Sequence, residues 1–177
     1  MGNLINLITI ARIILAPIIL FFLIFENYLI CILLFFLAGV SDYLDGYLAR
    51  KHRAESQIGE ILDPIADKIL IVFLLVGLSV HLDSYLIAVL SSIIIAREIG
   101  VAALRDYSAR NNISDRTKVT FLAKTKTSVQ LLSIGLYLFA LTLSFNLLLV
   151  VSDILLIIAT LITLYTGYQY MVNVFSE

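Results

Sequence analysis

The sequence predicts an all-α integral membrane protein with six transmembrane helices. Of its 177 residues, 61% are hydrophobic and only 14% are charged, whereas a soluble domain carries about 25% charged residues. The hydrophobic residues form long continuous runs and do not alternate with polar ones, which favours membrane helices over a transmembrane β-barrel. The composition also excludes a disordered chain, a coiled coil and a soluble single-domain enzyme.

Six apolar runs predict the six helices, since a helix needs about 20 residues to cross a bilayer. The second, third and fourth runs are short, and we expect residues that are not apolar to extend those helices. The sequence contains no sign of a second domain or an internal repeat, so we expect a single membrane domain over residues 1–177. The runs are residues 4–25, 29–41, 69–82, 85–96, 127–144 and 147–172.

Lysine and arginine are concentrated at alternate ends of the predicted helices. The three short connections, residues 26–28, 81–84 and 145–146, contain neither. Because basic loops stay on the cytoplasmic side of a membrane, we predict that both termini are cytoplasmic and that three tight hairpins lie outside. We expect the protein in the cytoplasmic membrane of a bacterium.

Four charged residues lie at one depth in the predicted bundle. Arg12, Asp42, Asp67 and Arg97 stand at similar distances along their helices from the external hairpins, which puts them roughly 18–23 Å from the outer face. At that depth of a hydrocarbon core about 30 Å thick, a charge needs a partner, a metal ion or water. We therefore predict a polar cavity that opens to the cytoplasmic side. Snorkelling to the interface is the alternative, but it suits lysine and arginine better than the short aspartates.

Paired carboxylates at this depth predict a metal site. Asp42 and Asp45 are three residues apart, and Asp63 and Asp67 are four apart, so each pair shares one helix face. Divalent cations relieve the repulsion between two such helices, and all-oxygen ligands favour Mg²⁺, Mn²⁺ or Ca²⁺. Two metal ions bridged by carboxylates suit an attack on phosphorus. The alternative is an acid–base network with the nearby basic residues Arg50, Lys51 and Lys68.

Residues 42–67 resemble the signature of the CDP-alcohol phosphatidyltransferase family. Eight positions within 26 residues match, and a chance match is on the order of 10⁻¹⁰ per register. The resemblance implies a metal-dependent enzyme with six transmembrane helices, commonly a homodimer, that moves a phosphatidyl group from a CDP-linked lipid to an alcohol and releases CMP. The matching residues are Asp42, Asp45, Gly46, Ala49, Arg50, Gly59, Asp63 and Asp67.

The resemblance also implies roles for individual residues. All four aspartates would bind the metal ions, two Mg²⁺ or Mn²⁺, and Asp67 would also take the proton from the attacking hydroxyl. Arg50 would meet a phosphate, and Ser56 stands where relatives often have a small hydroxyl residue near the nucleotide. The residues implied to border the CDP-lipid are Asp42, Gly46, Ala49, Arg50, Ser56 and Gly59.

Basic residues outside the signature predict an acceptor that carries its own phosphate, because lysine and arginine complement a phosphate charge. These residues are Arg97, Arg105, Lys124 and Lys126. Anchoring at the membrane surface is the alternative for these residues, and it suits Arg97 less well because Arg97 lies deeper. We do not expect Arg97 to pair with Glu98, since adjacent residues on a helix point apart.

Four further stretches, residues 6–12, 62–68, 96–106 and 124–130, resemble the phosphatidylglycerophosphate synthase branch of the family. This resemblance implies CDP-diacylglycerol as donor, sn-glycerol 3-phosphate as acceptor and phosphatidylglycerophosphate as product. Within the same fold, the alternatives are a cardiolipin synthase and a synthase that uses inositol phosphate or serine. Outside it, the alternative is a divalent-cation transporter.

The first helix offers one more candidate surface. Asn6, Thr9 and Arg12 recur at helical spacing and form one polar face that could border the cavity. An ordinary entry segment at the membrane interface explains this face equally well.

Overall fold

The structure is a computed structural model that describes residues 2–52, 57–111 and 121–175, and it consists of six α-helices. This confirms the all-α prediction. Within the described residues, helices and short turns account for the whole backbone. The helices are α1 (Gly2–Ile24), α2 (Tyr28–His52), α3 (Gln57–His81), α4 (Tyr85–Arg110), α5 (Phe121–Leu143) and α6 (Asn146–Phe175).

Five of the six helices in the described ranges are long and apolar enough to cross a membrane. The exception is α2, whose apolar part, Tyr28–Asp42, is shorter. The remainder of α2 carries the charged residues of the signature on a helical backbone that continues to His52. The prediction that polar residues extend this short apolar run is therefore confirmed.

The three predicted hairpins are tight turns of one kind. After α1, Asn27 N–H donates to the Phe22 carbonyl at 3.0 Å, and Glu26 between them has a φ of 59°. This is a Schellman ending, in which the last carbonyls of a helix are capped by a residue in the left-handed region. The turns after α3 and α5 repeat it, with Asp83 at φ 46° and Ser144 at φ 53°.

The helices pack in a closed ring, in the order α1, α2, α5, α6, α4 and α3. α3 also contacts α5 across this ring. The α3–α5 contact divides the interior into a part bordered by α1 and α2 and a part bordered by α4 and α6. This division is the feature of the fold that matters most for the candidate site.

An apolar core occupies the part of the bundle nearer the hairpins. Ile19, Leu23, Leu74 and Leu78 are fully buried in it, and each lies on the hairpin side of the charged residues in its own helix. α1 and α3 approach closely because Gly77 of α3 has no Cβ. Arg12 of α1 and Asp67 of α3 lie toward the opposite end of the bundle.

Pro64 lies inside α3, beyond the first turn of a helix that begins at Gln57. Since proline has no backbone N–H, the carbonyl of residue 60 loses its usual intrahelical donor. The helix continues through this position and carries Asp63 and Asp67 on one stretch of backbone.

Replacing Glu26 with glycine is expected to stabilise the protein. Glu26 is exposed, and its left-handed backbone costs a residue with a Cβ about 1–2 kcal/mol. Glycine removes this cost but loses part of the gain through the greater freedom of the unfolded chain. We expect a net gain of up to about 1 kcal/mol, which would raise the temperature of unfolding.

Unfolding can be followed through Cys31, the single cysteine of the chain, which is buried in the core. A thiol-reactive dye labels it only when the bundle opens. Glu26→Ala is the matched control, since alanine keeps the backbone strain. An equal shift for both variants would show that the loss of the carboxylate, and not the backbone, is responsible.

Candidate active site

One buried arginine joins three helices at the polar end of the bundle. Arg12 of α1 donates through Nη1 to Asp42 Oδ1 of α2 at 2.6 Å and to Asp67 Oδ1 of α3 at 2.9 Å. Its side chain is 1% exposed, whereas those of Asp42 and Asp67 are 51% and 38% exposed. The arginine is therefore enclosed by the helices, while both carboxylates also face open space.

This arrangement leaves negative charge at the site. A buried guanidinium requires anionic partners, because its desolvation is otherwise costly. Arg12 neutralises one of the two carboxylate charges that it contacts, so the three groups together carry a net charge of −1. Thr9, one turn before Arg12 on the same face of α1, is fully buried.

The structure gives different detail for the other predicted site residues. Gly59 is buried on α3. Ser56 lies outside the described residues. For the other positions the structure gives the helical backbone but not the side chains: Asn6 on α1; Asp45, Gly46, Ala49 and Arg50 on α2; Asp63 on α3; and Lys124 on α5. The continuous helices keep Asp45 within one turn of Asp42, and Asp63 within about one turn of Asp67.

A second charged cluster surrounds Glu98 of α4. Its carboxylate accepts hydrogen bonds from Lys126 of α5 and from Arg97 Nη1, the latter at 3.0 Å. Lys68 Nζ of α3 lies 3.9 Å from the other carboxylate oxygen. Three cations from three helices thus converge on one carboxylate.

The prediction that Arg97 and Glu98 do not pair is wrong. Their Cβ atoms leave the helix in different directions, but the arginine side chain is long enough to turn back to its neighbour. Two further contacts stabilise this conformation. Lys126 draws the Glu98 carboxylate toward α5, and Arg97 Nη2 donates to Thr166 Oγ1 of α6 at 2.6 Å.

Arg105, two turns further along α4, also points to α6. Its Nη2 donates to the hydroxyl of Tyr170 at 3.0 Å. The guanidinium carbons of Arg97 and Arg105 lie 5.8 and 5.2 Å from the centre of the Tyr170 ring, within the range of cation–π attraction. The three described basic residues of the predicted acceptor site, Arg97, Arg105 and Lys126, are therefore all near one another.

Two cavities border these clusters. The larger, of about 840 Å³, is an apolar groove between α2 and α5, lined along its length by residues such as Phe36, Leu132 and Phe139. Its polar end is formed by Arg12, Asp42 and Asp67. We call it the apolar groove.

The smaller cavity, of about 180 Å³, lies on the other side of the α3–α5 contact, and its lining combines apolar with charged side chains. Four basic and two acidic side chains line it, an excess of two positive charges if all are ionised. We call it the cationic cavity. The charged residues that line it are Asp67, Lys68, Arg97, Glu98, Arg105 and Lys126.

Asp67 borders both cavities. It lies on α3, the helix whose contact with α5 separates them, and its carboxylate is oriented by Arg12. A group at this position can contact a molecule in the apolar groove and another in the cationic cavity at the same time.

Sequence reasoning missed the contribution of α6. Thr166, Gly167 and Tyr170 carry no charge and lie outside the signature, yet all three contact Arg97 or Arg105. A pattern that could have indicated them is a buried stripe of small and hydroxyl-bearing residues at helical spacing in an otherwise apolar helix. The stripe consists of Ser152, Ala159, Thr160, Thr163, Thr166, Gly167 and Tyr170.

Comparison with known proteins gives one consistent result. A family model described as CDP-alcohol phosphatidyltransferase matches residues 2–168. A protein of Haemophilus influenzae is 38% identical over 167 residues, which cover 93% of this chain and 89% of the relative. A protein of Rickettsia bellii is 38% identical and one of Rickettsia typhi is 37% identical. The matched regions cover 95% and 96% of this chain and 93% and 96% of the two relatives. All three relatives are named CDP-diacylglycerol–glycerol-3-phosphate 3-phosphatidyltransferase.

The bridge through Arg12 is expected to couple α1 to α3 energetically. In a double-mutant cycle of Arg12→Met and Asp67→Asn, we expect a coupling free energy of about 1–3 kcal/mol, below the value for a fully buried pair because Asp67 is partly exposed. The free energy of unfolding is measured in detergent without divalent cations, from the labelling of Cys31 during denaturant titration.

The matched control is the pair Arg110–Asp106 on α4, an exposed ion pair at 2.8 Å. Its coupling should not exceed about 1 kcal/mol, as is usual for surface pairs. Equal coupling energies for the two pairs would contradict a structural role for the Arg12 bridge.

Proposed function

The chain belongs to the CDP-alcohol phosphatidyltransferase family, and we propose that it transfers a phosphatidyl group from CDP-diacylglycerol to sn-glycerol 3-phosphate. The products are phosphatidylglycerophosphate and CMP. The names and extensive coverage of the three relatives support this assignment of donor and acceptor. The position of Asp67 between the two cavities is the structural observation that carries it.

The apolar groove suits the lipid donor. Its wall of aliphatic and aromatic side chains offers acyl chains a continuous apolar surface, and the groove ends at Asp42 and Asp67. A lipid with its chains in the groove would therefore hold its diphosphate beside these carboxylates. By the resemblance to the family, the residues that would border the CDP moiety are Asp42, Gly46, Ala49, Arg50, Ser56 and Gly59.

The carboxylates fit divalent cations. The described groups around Arg12 offer only oxygen ligands, retain a net negative charge and face open space. Asp42, Asp45, Asp63 and Asp67 would hold two Mg²⁺ or Mn²⁺ ions. When bound, such ions supply charge neutralisation for the diphosphate and for the CMP that leaves.

Asp67 would act as the general base. An alcohol is a weak nucleophile, and a carboxylate within hydrogen-bonding reach assists by accepting its proton. As the proton passes to Asp67, the acceptor oxygen bonds to the phosphorus of the phosphatidyl group and the bond from that phosphorus to the CMP oxygen breaks. Arg12 orients the Asp67 carboxylate through the bond at 2.9 Å.

The cationic cavity suits a small acceptor that carries a phosphate. A phosphate monoester has a charge of about −1.5 to −2 at neutral pH, which balances the excess of two positive charges in the lining. The cavity volume of about 180 Å³ corresponds to about six water molecules, as expected for a small polar molecule. Serine, a zwitterion, would leave this charge uncompensated. Arg97, Arg105, Lys124 and Lys126 are the proposed phosphate-binding residues.

The proposed setting is a bacterial cytoplasmic membrane, which the chain spans as a single membrane domain. Both termini and the active site would lie on the cytoplasmic side. The absence of lysine and arginine from residues 26–28, 81–84 and 145–146 supports this orientation. We further propose that the enzyme works as a homodimer, as the resemblance to the family implies.

Purified protein in mixed micelles is expected to release CMP from CDP-diacylglycerol only with both glycerol 3-phosphate and a divalent cation. Asp67→Asn removes the base and a proposed metal ligand, so we expect a rate at least about a hundredfold lower. CMP is measured with Mg²⁺, Mn²⁺ or EDTA. Inositol phosphate, serine and phosphatidylglycerol are each offered separately in place of glycerol 3-phosphate.

Release with another acceptor alone would keep the family chemistry but overturn the assignment of the acceptor. Asp153→Asn is the matched control, because Asp153 is a half-buried carboxylate of α6 that accepts a hydrogen bond from Tyr137 and lines neither cavity. No release with any acceptor from folded protein would contradict the proposed reaction and favour a cation transporter.

Lys126→Met is expected to weaken acceptor binding selectively. A charge-assisted contact to phosphate contributes about 1.5–3 kcal/mol, so KM for glycerol 3-phosphate should rise about tenfold or more while KM for CDP-diacylglycerol changes little. Steady-state kinetics with each substrate varied in turn gives both constants. Arg110→Met, which removes an exposed charge at the end of α4, is the control. A parallel rise in both KM values would argue against the acceptor role of Lys126.

A further inference from the structure

We propose that α6 positions the two arginines that bind the acceptor phosphate, through Thr166, Gly167 and Tyr170, and so sets the affinity of the enzyme for a phosphorylated acceptor. The inference rests on the proposed function, because it assumes that Arg97 and Arg105 meet that phosphate. It assigns a role to a helix that lies beyond the signature and carries a single charged residue, Asp153.

Arg97 is clamped from two sides. Its side chain is 7% exposed, so most of its surface is fixed by neighbouring atoms. Nη1 donates to Glu98 within α4, and Nη2 donates to Thr166 of α6 at 2.6 Å. The contact with Thr166 determines how far the guanidinium stands from α6, and thus how far it extends into the cationic cavity.

Gly167 provides the space through which the Arg97 side chain passes. A Cβ at this position would lie 3.0 Å from Arg97 Cγ and 3.1 Å from Nε. These distances are shorter than ordinary van der Waals contacts, so any larger residue would push the arginine away from the α6 backbone. Glycine is required at this position because Arg97 packs closely against it, and not because the backbone has an unusual conformation.

Tyr170 holds the two arginines beside each other. Its hydroxyl accepts the hydrogen bond from Arg105, and the electron-rich face of its ring lies within cation–π range of both guanidinium groups. The ring is 3% exposed and packs against Val101 and Leu104 of α4. A fixed aromatic ring thereby offsets part of the repulsion between two cations that would otherwise separate.

The contacts from α6 add no charge to the cationic cavity. Asp153 lies 13 residues before Thr166, a distance of about 20 Å along the helix. The contacts with Arg97 and Arg105 therefore act on the acceptor through the positions of these two cations. Thr166, Gly167 and Tyr170 are positioning residues. Their loss should change the affinity for the acceptor more than the rate of the chemical step.

The test uses Tyr170→Phe and Gly167→Ala in the full chain, in mixed micelles with CDP-diacylglycerol and Mg²⁺. Tyr170→Phe keeps the ring and removes the hydrogen bond, while Gly167→Ala displaces Arg97 without removing any hydrogen-bonding group. We expect Tyr170→Phe to raise KM for glycerol 3-phosphate about fivefold or more, with KM for CDP-diacylglycerol within about twofold of wild type. Gly167→Ala should change KM in the same direction.

Competition by inorganic phosphate gives a second readout, since the same arginines would bind it. Its inhibition constant should rise in parallel with KM for glycerol 3-phosphate. A purely structural role of α6 would leave the inhibition constant unchanged in the folded fraction.

Each variant has a matched control. Tyr137→Phe removes another buried tyrosine hydroxyl, one that bonds to Asp153 and not to an arginine. Gly100→Ala adds a Cβ on α4 where nothing lies within 4 Å. Both controls should keep the wild-type KM for glycerol 3-phosphate.

Different results would overturn the proposed function and the proposed role of α6. Wild-type protein that releases no CMP with glycerol 3-phosphate would overturn the proposed function. Active wild type together with folded variants whose KM for glycerol 3-phosphate is unchanged, or whose two KM values rise equally, would overturn the inference about α6. If Tyr170→Phe does not fold by Cys31 labelling, Gly167→Ala and Thr166→Val decide the question by the same criteria.

Discussion

The guanidinium of Arg12 is the interaction on which the candidate active site depends. It is enclosed by protein, yet it bonds at 2.6 and 2.9 Å to two carboxylates that are themselves half-open to a cavity. Because a buried cation cannot remain without anionic partners, the positions of α2 and α3 relative to α1 are constrained at this level. The same constraint presents Asp42 and Asp67 outward, with one negative charge still to be balanced.

The α3–α5 contact separates the two cavities that border Arg12, Asp42 and Asp67 on one side and the basic cluster around Glu98 on the other. A group-transfer enzyme has to bring an apolar donor and a polar acceptor to one reacting atom without mixing their environments. The apolar groove and the cationic cavity are separate, and Asp67 borders both. Under the proposed function, a single bundle of 177 residues would hold two chemically unlike substrates in different halves of one ring of helices.

Much of the fold could be predicted from sequence, because apolar length and tight connections are local properties. The three hairpins lie where the hydrophobic runs end, and the helices extend beyond these runs at their charged ends. Arg12, Asp42 and Asp67 meet as their common depth suggests. The order of the helices around the ring is not local. Without it, nothing indicated that Tyr170 faces Arg97 and Arg105, or that Lys126 approaches Glu98. The error over Arg97 and Glu98 has the same origin, since partners on α5 and α6 turn these neighbours toward each other.

The apolar groove has a consequence for how substrate would reach the enzyme. Several residues that line it, among them Leu33, Phe36, Leu132 and Phe139, are also exposed on the surface of the bundle. In the proposed membrane setting, such apolar side chains would face the acyl chains of the bilayer. A diacyl lipid could enter sideways from the bilayer without first passing through water. Turnover would then respond to the mole fraction of donor within the membrane and not to its bulk concentration, so dilution with inert lipid would slow the enzyme even when the total amount of donor is constant.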